Sequence, residues 1–287
     1  MYKWNEFGKL VNSEQLIEYM CREYLHQNYY HYTSLSVIDS ILKNNSIWVS
    51  NVSGMNDLAD VKQFGSNQFL YYNLCFSTGV NENLPLWYLY SGIDGQGGRI
   101  CFSKNSVKSM IQNSKYVLKI IDENKKLLEG EENKVILKPS DYDIRFGDIL
   151  YVKEPEKGNV SLKYNTMTNY NMSREIFADY KKKRVGFIKG LIWYYEKETR
   201  IVIKLKGDAA KFAQRNAEKG LRCVIVLSFD DKIKRNTGIT IAPECESSIP
   251  ILIEKYPCLG KFMLETSKVS ESEYAGQIKI KDKLKKQ

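Results

Sequence analysis

Apolar and polar positions along this chain change period repeatedly, and each change predicts an element. Residues 13–25 carry apolar positions at helical spacing (Leu16, Tyr19, Met20), with Ser13 placed as the N-cap. Tyr29-Tyr30-His31-Tyr32-Thr33 predicts a short aromatic strand. Ser34 then caps a helix to Lys43 whose stripe is Leu35, Ile38, Ile41 and Leu42. Strands are expected at 47–50, 72–77 and 98–102, and Pro85 opens a short helix over Leu86-Trp87-Tyr88-Leu89-Tyr90. Further strands are expected at 115–121, 133–138, 146–152, 222–228, 237–242 and 276–281, and a helix over 171–190. Many short strands mixed with helices, without repeats or a Pro/Gly linker, predict one α+β domain. Within it, 1–28 reads as a helical extension, 29–281 as the core and 282–287 as a basic tail.

The glycines from Gly92 to Gly98 lie between a helix and a strand. A phosphate-cradling loop needs the opposite order, so this segment reads as a turn and does not support a kinase or a dehydrogenase. The 287 residues suffice for a real core, and the longest apolar runs fall far short of the roughly 20 residues a membrane span needs. The first residues lack a signal-peptide core, and six cysteines without a CxxC pair suit a reducing compartment, so a cytoplasmic location is expected. Two histidines, His26 and His31, exclude a His-rich metal site, and no metal is expected. The net charge of +9 is partly clustered in Lys181-Lys182-Lys183-Arg184 and in the lysines from Lys279 to Lys286. Such runs are solvated faces in the bland case and phosphate contacts to nucleic acid in the sharper one.

The most informative segment is Trp193-Tyr194-Tyr195-Glu196-Lys197-Glu198-Thr199-Arg200, which runs into Ile201-Val202-Ile203. If the strand starts early enough, Glu196, Glu198 and Arg200 share one face. Charged residues are mostly exposed, which favours a surface ladder. The other reading is an active-site edge, where a carboxylate stabilises a developing cation. A surface or cleft carboxylate adds little to folding, so replacing Glu198 is expected to spare stability.

Four motifs in order resemble the bacterial family of domain of unknown function 2971. They are Tyr30-His31-Tyr32-Thr33-Ser34, Asn56-Asp57, Phe76-Ser77 before Trp87-Tyr88-Leu89-Tyr90, and Trp193 to Arg200. The likeness covers roughly residues 29–205; the acidic residue expected soon after Asn56-Asp57 would be Asp60. That family in turn is similar to the ADP-ribosyltransferase fold, a split β-sandwich with surrounding helices that binds NAD. The resemblance implies catalytic roles for Glu198 and Glu196, and NAD contacts from His31, Thr33, Ser77, Asn56, Trp87, Tyr90 and Arg200. It also implies that His31 and Glu198 face one cleft. The activity implied is transfer of ADP-ribose to a macromolecule, or hydrolysis of NAD; the basic runs favour nucleic acid as acceptor beside protein, and a toxin or phage-defence effector is a third reading, of biological role, compatible with the first. Each residue has a plainer reading: a structural histidine, strand-end hydroxyls, an Asx-turn, core aromatics. A non-catalytic nucleic-acid-binding or interaction module on the same fold is the alternative.

Overall fold

The computed structural model describes residues 13–20, 22–79, 81–90, 96–154, 158–163, 169–243, 245, 249–266 and 268–275. The expected strand at 276–281, the basic tail and most of the glycine turn lie outside them. The elements begin with α1 (Ser13–Met20), β1 (Asn28–Ser34), α2 (Leu35–Asn44), β2 (Ser46–Asn51), α3 (Leu58–Lys62), β3 (Tyr71–Ser77), α4 (Leu84–Tyr90), β4 (Gly97–Ser103) and α5 (Lys104–Asn113). They continue with β5 (Lys115–Ile121), β6 (Lys134–Ile136), β7 (Tyr142–Asp148), β8 (Leu150–Lys153), β9 (Val160–Lys163), β10 (Asn169–Met172), α6 (Arg174–Lys183) and β11 (Ile188–Gly190). The last are β12 (Glu198–Leu205), α7 (Gly207–Glu218), β13 (Arg222–Ser228), α8 (Asp231–Arg235), β14 (Gly238–Ile241), α9 (Ile249–Lys255), α10 (Pro257–Glu265) and β15 (Val269–Glu271). The class is α+β. Among the described residues no helix is long and apolar enough to cross a membrane.

The chain divides into two compact units. The first comprises residues 1–25, 48–75 and 116–225. Its larger sheet runs β7-β12-β3-β2-β13-β5-β6, and a second sheet runs β10-β9-β8-β11. The second sheet packs Leu150, Leu162, Met172 and Ile188 against Phe177 and Tyr180 of α6. β12 pairs antiparallel with β7 from Thr199 opposite Asp148 to Leu205 opposite Tyr142. Every residue of β12 except Lys204 is buried, a burial on both faces that fits its β-branched composition.

The second unit comprises 26–47, 76–115 and 226–287. Its sheet runs β15-β14-β4-β1 and ends on the last residues of β3, where Tyr30 faces Ser77. Ser34 caps α2 by accepting the Val37 N–H, and the expected stripe Leu35, Ile38, Ile41 and Leu42 is buried. Gly98 permits this helix to lie close, since a Cβ there would stand 2.5 Å from Ile38. Asp39 Oδ1 in turn accepts the N–H groups of Cys258 and Leu259 at 2.8 and 2.9 Å, fixing the start of α10.

Two expectations are corrected along the chain. α1 stops at Met20, and the helix expected over 171–190 is only α6. It ends at Lys183, where the cap residue Arg184 leaves the helical region (φ −123°, ψ 41°), and Gly186 beyond it takes φ +88°, a conformation an L side chain rarely adopts. The residues beyond it then form β11.

Candidate functional site

The Glu-x-Glu segment is not a continuous strand. Leu191–Glu196 forms a 3-10 turn, Lys197 is left-handed (φ 45°, ψ 56°), and β12 starts only at Glu198. Glu196 therefore shares no strand face with Glu198 and Arg200. The surface expectation is overturned as well: Glu196, Glu198 and Arg200 are 4%, 6% and 0% exposed. What the left-handed residue achieves is convergence. Both glutamates reach one ammonium, Lys189 Nζ, which lies 2.5 Å from Glu196 Oε2 and 3.3 Å from Glu198 Oε2.

Lys189 reaches this point from β11, which runs parallel to β8 and sets Lys189 opposite Tyr151. The Tyr151 hydroxyl accepts the Glu198 N–H at 2.8 Å, anchoring the first residue of β12. Arg200, two residues on and on the same face, donates Nε to Glu198 Oε1 at 2.6 Å and Nη2 to Oε2 at 3.0 Å. The other side of its guanidinium grips Asp60, with Nη1 3.1 Å from Oδ1 and Nη2 2.5 Å from Oδ2. Nη1 also donates to the Gly186 carbonyl at 3.0 Å. Asp60 is held in place by Gln63, whose Nε2 donates to Oδ1 and to the Ile188 carbonyl. This is a buried fork-to-fork pair with its donors satisfied.

Three carboxylates thus face two cations in one buried cluster, so full ionisation leaves one negative charge in excess. The protonation states separate accordingly. Burial and the Glu198 charge push Glu196 up to about 7, against the pull of Lys189. Burial also works to raise Glu198, but Arg200, Lys189 and a hydrogen bond from Cys75 outweigh it and hold the group ionised well below the usual range. Burial keeps the Cys75 thiol protonated, and the Glu198 charge reinforces this. Glu196 Oε1 is the one carboxylate oxygen of the cluster that is buried without a hydrogen-bond partner. Two neighbouring carboxylates with protonation pushed in opposite directions form the arrangement from which acid and base roles are built.

The chain matches no family model, no curated protein and no solved structure. Among the described residues there is also no group of three His, Cys, Asp or Glu side chains that could hold a metal ion.

Of the remaining expected site residues, Asn56 is exposed just before α3, whose N-cap is Asp57. The others belong to the second unit. His31 and Thr33 are half-buried on β1, opposite Ile100 and Gly98 of β4, and the His31 ring meets Phe76 edge-on at 6.2 Å. Ser77 is buried on the neighbouring strand. Trp87 is wholly buried: its ring meets Tyr32 edge-on, and its Nε1 donates to Glu82 Oε2 at 2.9 Å. Tyr88 and Tyr90 are exposed. Glu82 also accepts from Ser272 Oγ and from the Glu273 N–H, and pairs with Arg99 at 3.7 Å. Arg99 lies over the Tyr30 ring, 4.6 Å from its centre.

Sequence reasoning missed Lys189, Tyr151, Glu82 and Arg99. Lys189 had a signal, as one lysine inside the apolar run Phe187-Ile188-Lys189-Gly190. The basic run was legible, but two of its lysines are engaged: Lys181 with Glu154 and Lys183 with Asp179.

Proposed function

We propose that this chain is an NAD-consuming enzyme of the ADP-ribosyltransferase type, which transfers ADP-ribose to a macromolecule or hydrolyses NAD. The observation that carries the reading is the buried cluster with one carboxylate in excess. Breaking the nicotinamide–ribose bond sends its electron pair to the ring nitrogen, so nicotinamide leaves neutral and positive charge develops on the ribose. A fixed negative charge in a low-dielectric site stabilises that cation, and Glu198 supplies it. Glu196, with one oxygen unpartnered and its protonation balanced near neutrality, suits removal of the proton from the acceptor or from water. The motif likeness to the family of domain of unknown function 2971 supports the same roles, and the α+β class is compatible with a split β-sandwich. Of the NAD contacts that the resemblance implies, those of His31, Thr33, Ser77, Asn56 and Tyr90 stay in this proposal, whereas Trp87, wholly buried against Tyr32 and bonded to Glu82, has no surface to offer a ligand and is dropped.

A non-catalytic module on the same framework is the second reading. One observation favours it: both oxygens of Glu198 already have cationic partners. Labelled NAD separates the two. The parent chain is expected to release nicotinamide, Glu198→Gln to lose a hundredfold or more in rate, and Glu196→Gln to lose transfer more than hydrolysis. Because Glu198 is buried, rates are compared at a temperature where each variant keeps its native near-UV circular dichroism. Asp60→Asn serves as a variant that loosens the same cluster without touching either glutamate. A parent chain that releases no nicotinamide with protein, nucleic acid or water as acceptor removes the enzyme reading.

A further inference from the structure

The first unit contains a groove of about 750 Å³ between the end of β2, the turn after β5 and the start of β13. That volume lies within the range of about 300–1,000 Å³ typical of small-ligand sites. None of the residues of the Glu198 cluster lines it. We propose that this groove binds a mononucleotide.

Four features of the walls select that chemistry. Trp48, half-buried on β2, contributes an aromatic surface of the kind on which a base stacks. Arg222 opens β13 and Lys125 sits in the turn, and neither side chain has an ion pair or hydrogen bond among the described residues. A guanidinium and an ammonium on one groove suit a phosphate, the guanidinium bidentately. Glu123, exposed in the same turn, offers acceptor oxygens for sugar hydroxyls. The other acidic residue there, Asp122, is committed to the turn, since its Oδ1 accepts the Lys126 N–H at 2.7 Å.

The groove is also held in shape. The Asp122 N–H donates to the Lys126 carbonyl and the Lys125 N–H to the Asp122 carbonyl, and Ile121 bridges to Leu127. On the opposite wall the Asn51 amide donates to the carbonyls of Gln68 and Tyr71, while its oxygen accepts the Ser53 N–H. A preorganised turn loses little entropy when a ligand enters.

Gly54 gives the test its sharpest variant. A Cβ there would meet nothing nearer than Arg222 Nη1 at 3.9 Å, so the position admits a side chain beside Arg222, and Gly54→Phe is expected to occupy the groove. Titration calorimetry of the parent chain with AMP and UMP is expected to show saturable binding, with ribose 5-phosphate about tenfold weaker for want of a base to stack. Arg222→Ala should weaken AMP about tenfold or more, and Gly54→Phe should abolish binding with an unchanged melting temperature. Nicotinamide release from NAD is read on the same samples. Its presence or absence bears on the catalytic reading alone and has no part in deciding whether the groove takes a nucleotide. No saturable mononucleotide binding, equal binding by Gly54→Phe and the parent, or binding of a short oligonucleotide alone would each overturn the proposal.

Discussion

Replacing Asp60 by asparagine tests the buried cluster most directly. The side chains of Asp60 and Arg200 are both fully buried, and Asp60 supplies two of the acceptors that surround the guanidinium. Asparagine keeps one acceptor but turns an NH2 donor toward an arginine donor, and it removes the charge. Breaking a buried pair by removing one partner costs about 3–5 kcal/mol, because the other charge stays behind unpaired. Glu198 continues to face the opposite side of the guanidinium and partly compensates, so the lower end, about 3 kcal/mol, is expected. The internal standard is Lys206–Asp143, a 2.5 Å pair in which each side chain is 47% exposed. Lys206→Ala should cost no more than about 1 kcal/mol, since exposed pairs are solvent-screened. Urea unfolding followed by far-UV circular dichroism measures both, with the slope m confirming that the unfolded state is unchanged. If Asp60→Asn loses no more than Lys206→Ala, the cluster contributes little and its burial has been misread.

Three further outcomes follow from the same geometry. Glu196, raised to about 7 by burial and by Glu198, binds a proton in the native state that the unfolded chain releases above its ordinary value. Its stabilisation is therefore full below the unfolded value and is lost as pH rises through about 7, and Glu196→Gln should flatten that part of a melting-temperature series; a parallel series would refute it. Trp87→Phe removes the donor to the Glu82 carboxylate and should cost about 1.5–3 kcal/mol by denaturant titration. A loss below 0.5 kcal/mol, on the order of a surface change, contradicts that assignment. If nucleic acid is the acceptor, replacing Lys181, Lys182 and Lys183 by alanine should lower the salt slope of duplex binding by about 0.9 for each phosphate no longer neutralised. An unchanged slope in filter binding excludes this helix from phosphate contact.

Much of the fold was legible because its local signals agree with one another. Ser34 with the stripe from Leu35 to Leu42 specified α2, and the alternating and β-branched runs specified β3, β5 and β13 nearly residue for residue. The site was legible only in its parts. Glu196, Glu198 and Arg200 stood out as residue types, but a continuous strand through them ignored the left-handed turn at Lys197, for which a lysine gives no warning. Their burial was hidden because it depends on Asp60 and Lys189, brought in from α3 and β11 by pairing that no local pattern encodes. The helix expected over 171–190 failed for a related reason. Its basic run continues the helical pattern through Arg184, but the backbone leaves the helix at that residue and turns through Gly186.

The separation of the paired charges along the chain bears on the order of folding. Asp60 and Arg200 are 140 residues apart, so closing that contact requires a long loop to be ordered first. β12 and β7 can pair with the guanidinium still hydrated, whereas burying it before α3 arrives would strand an arginine in the core. The Asp60–Arg200 lock is therefore expected to close late, after the rate-limiting barrier. Interactions made after the barrier act on the unfolding rate. In stopped-flow measurements Asp60→Asn should therefore leave refolding nearly as fast as in the parent and concentrate its effect in faster unfolding, so the cluster sets how long the folded molecule lasts more than how quickly it is reached.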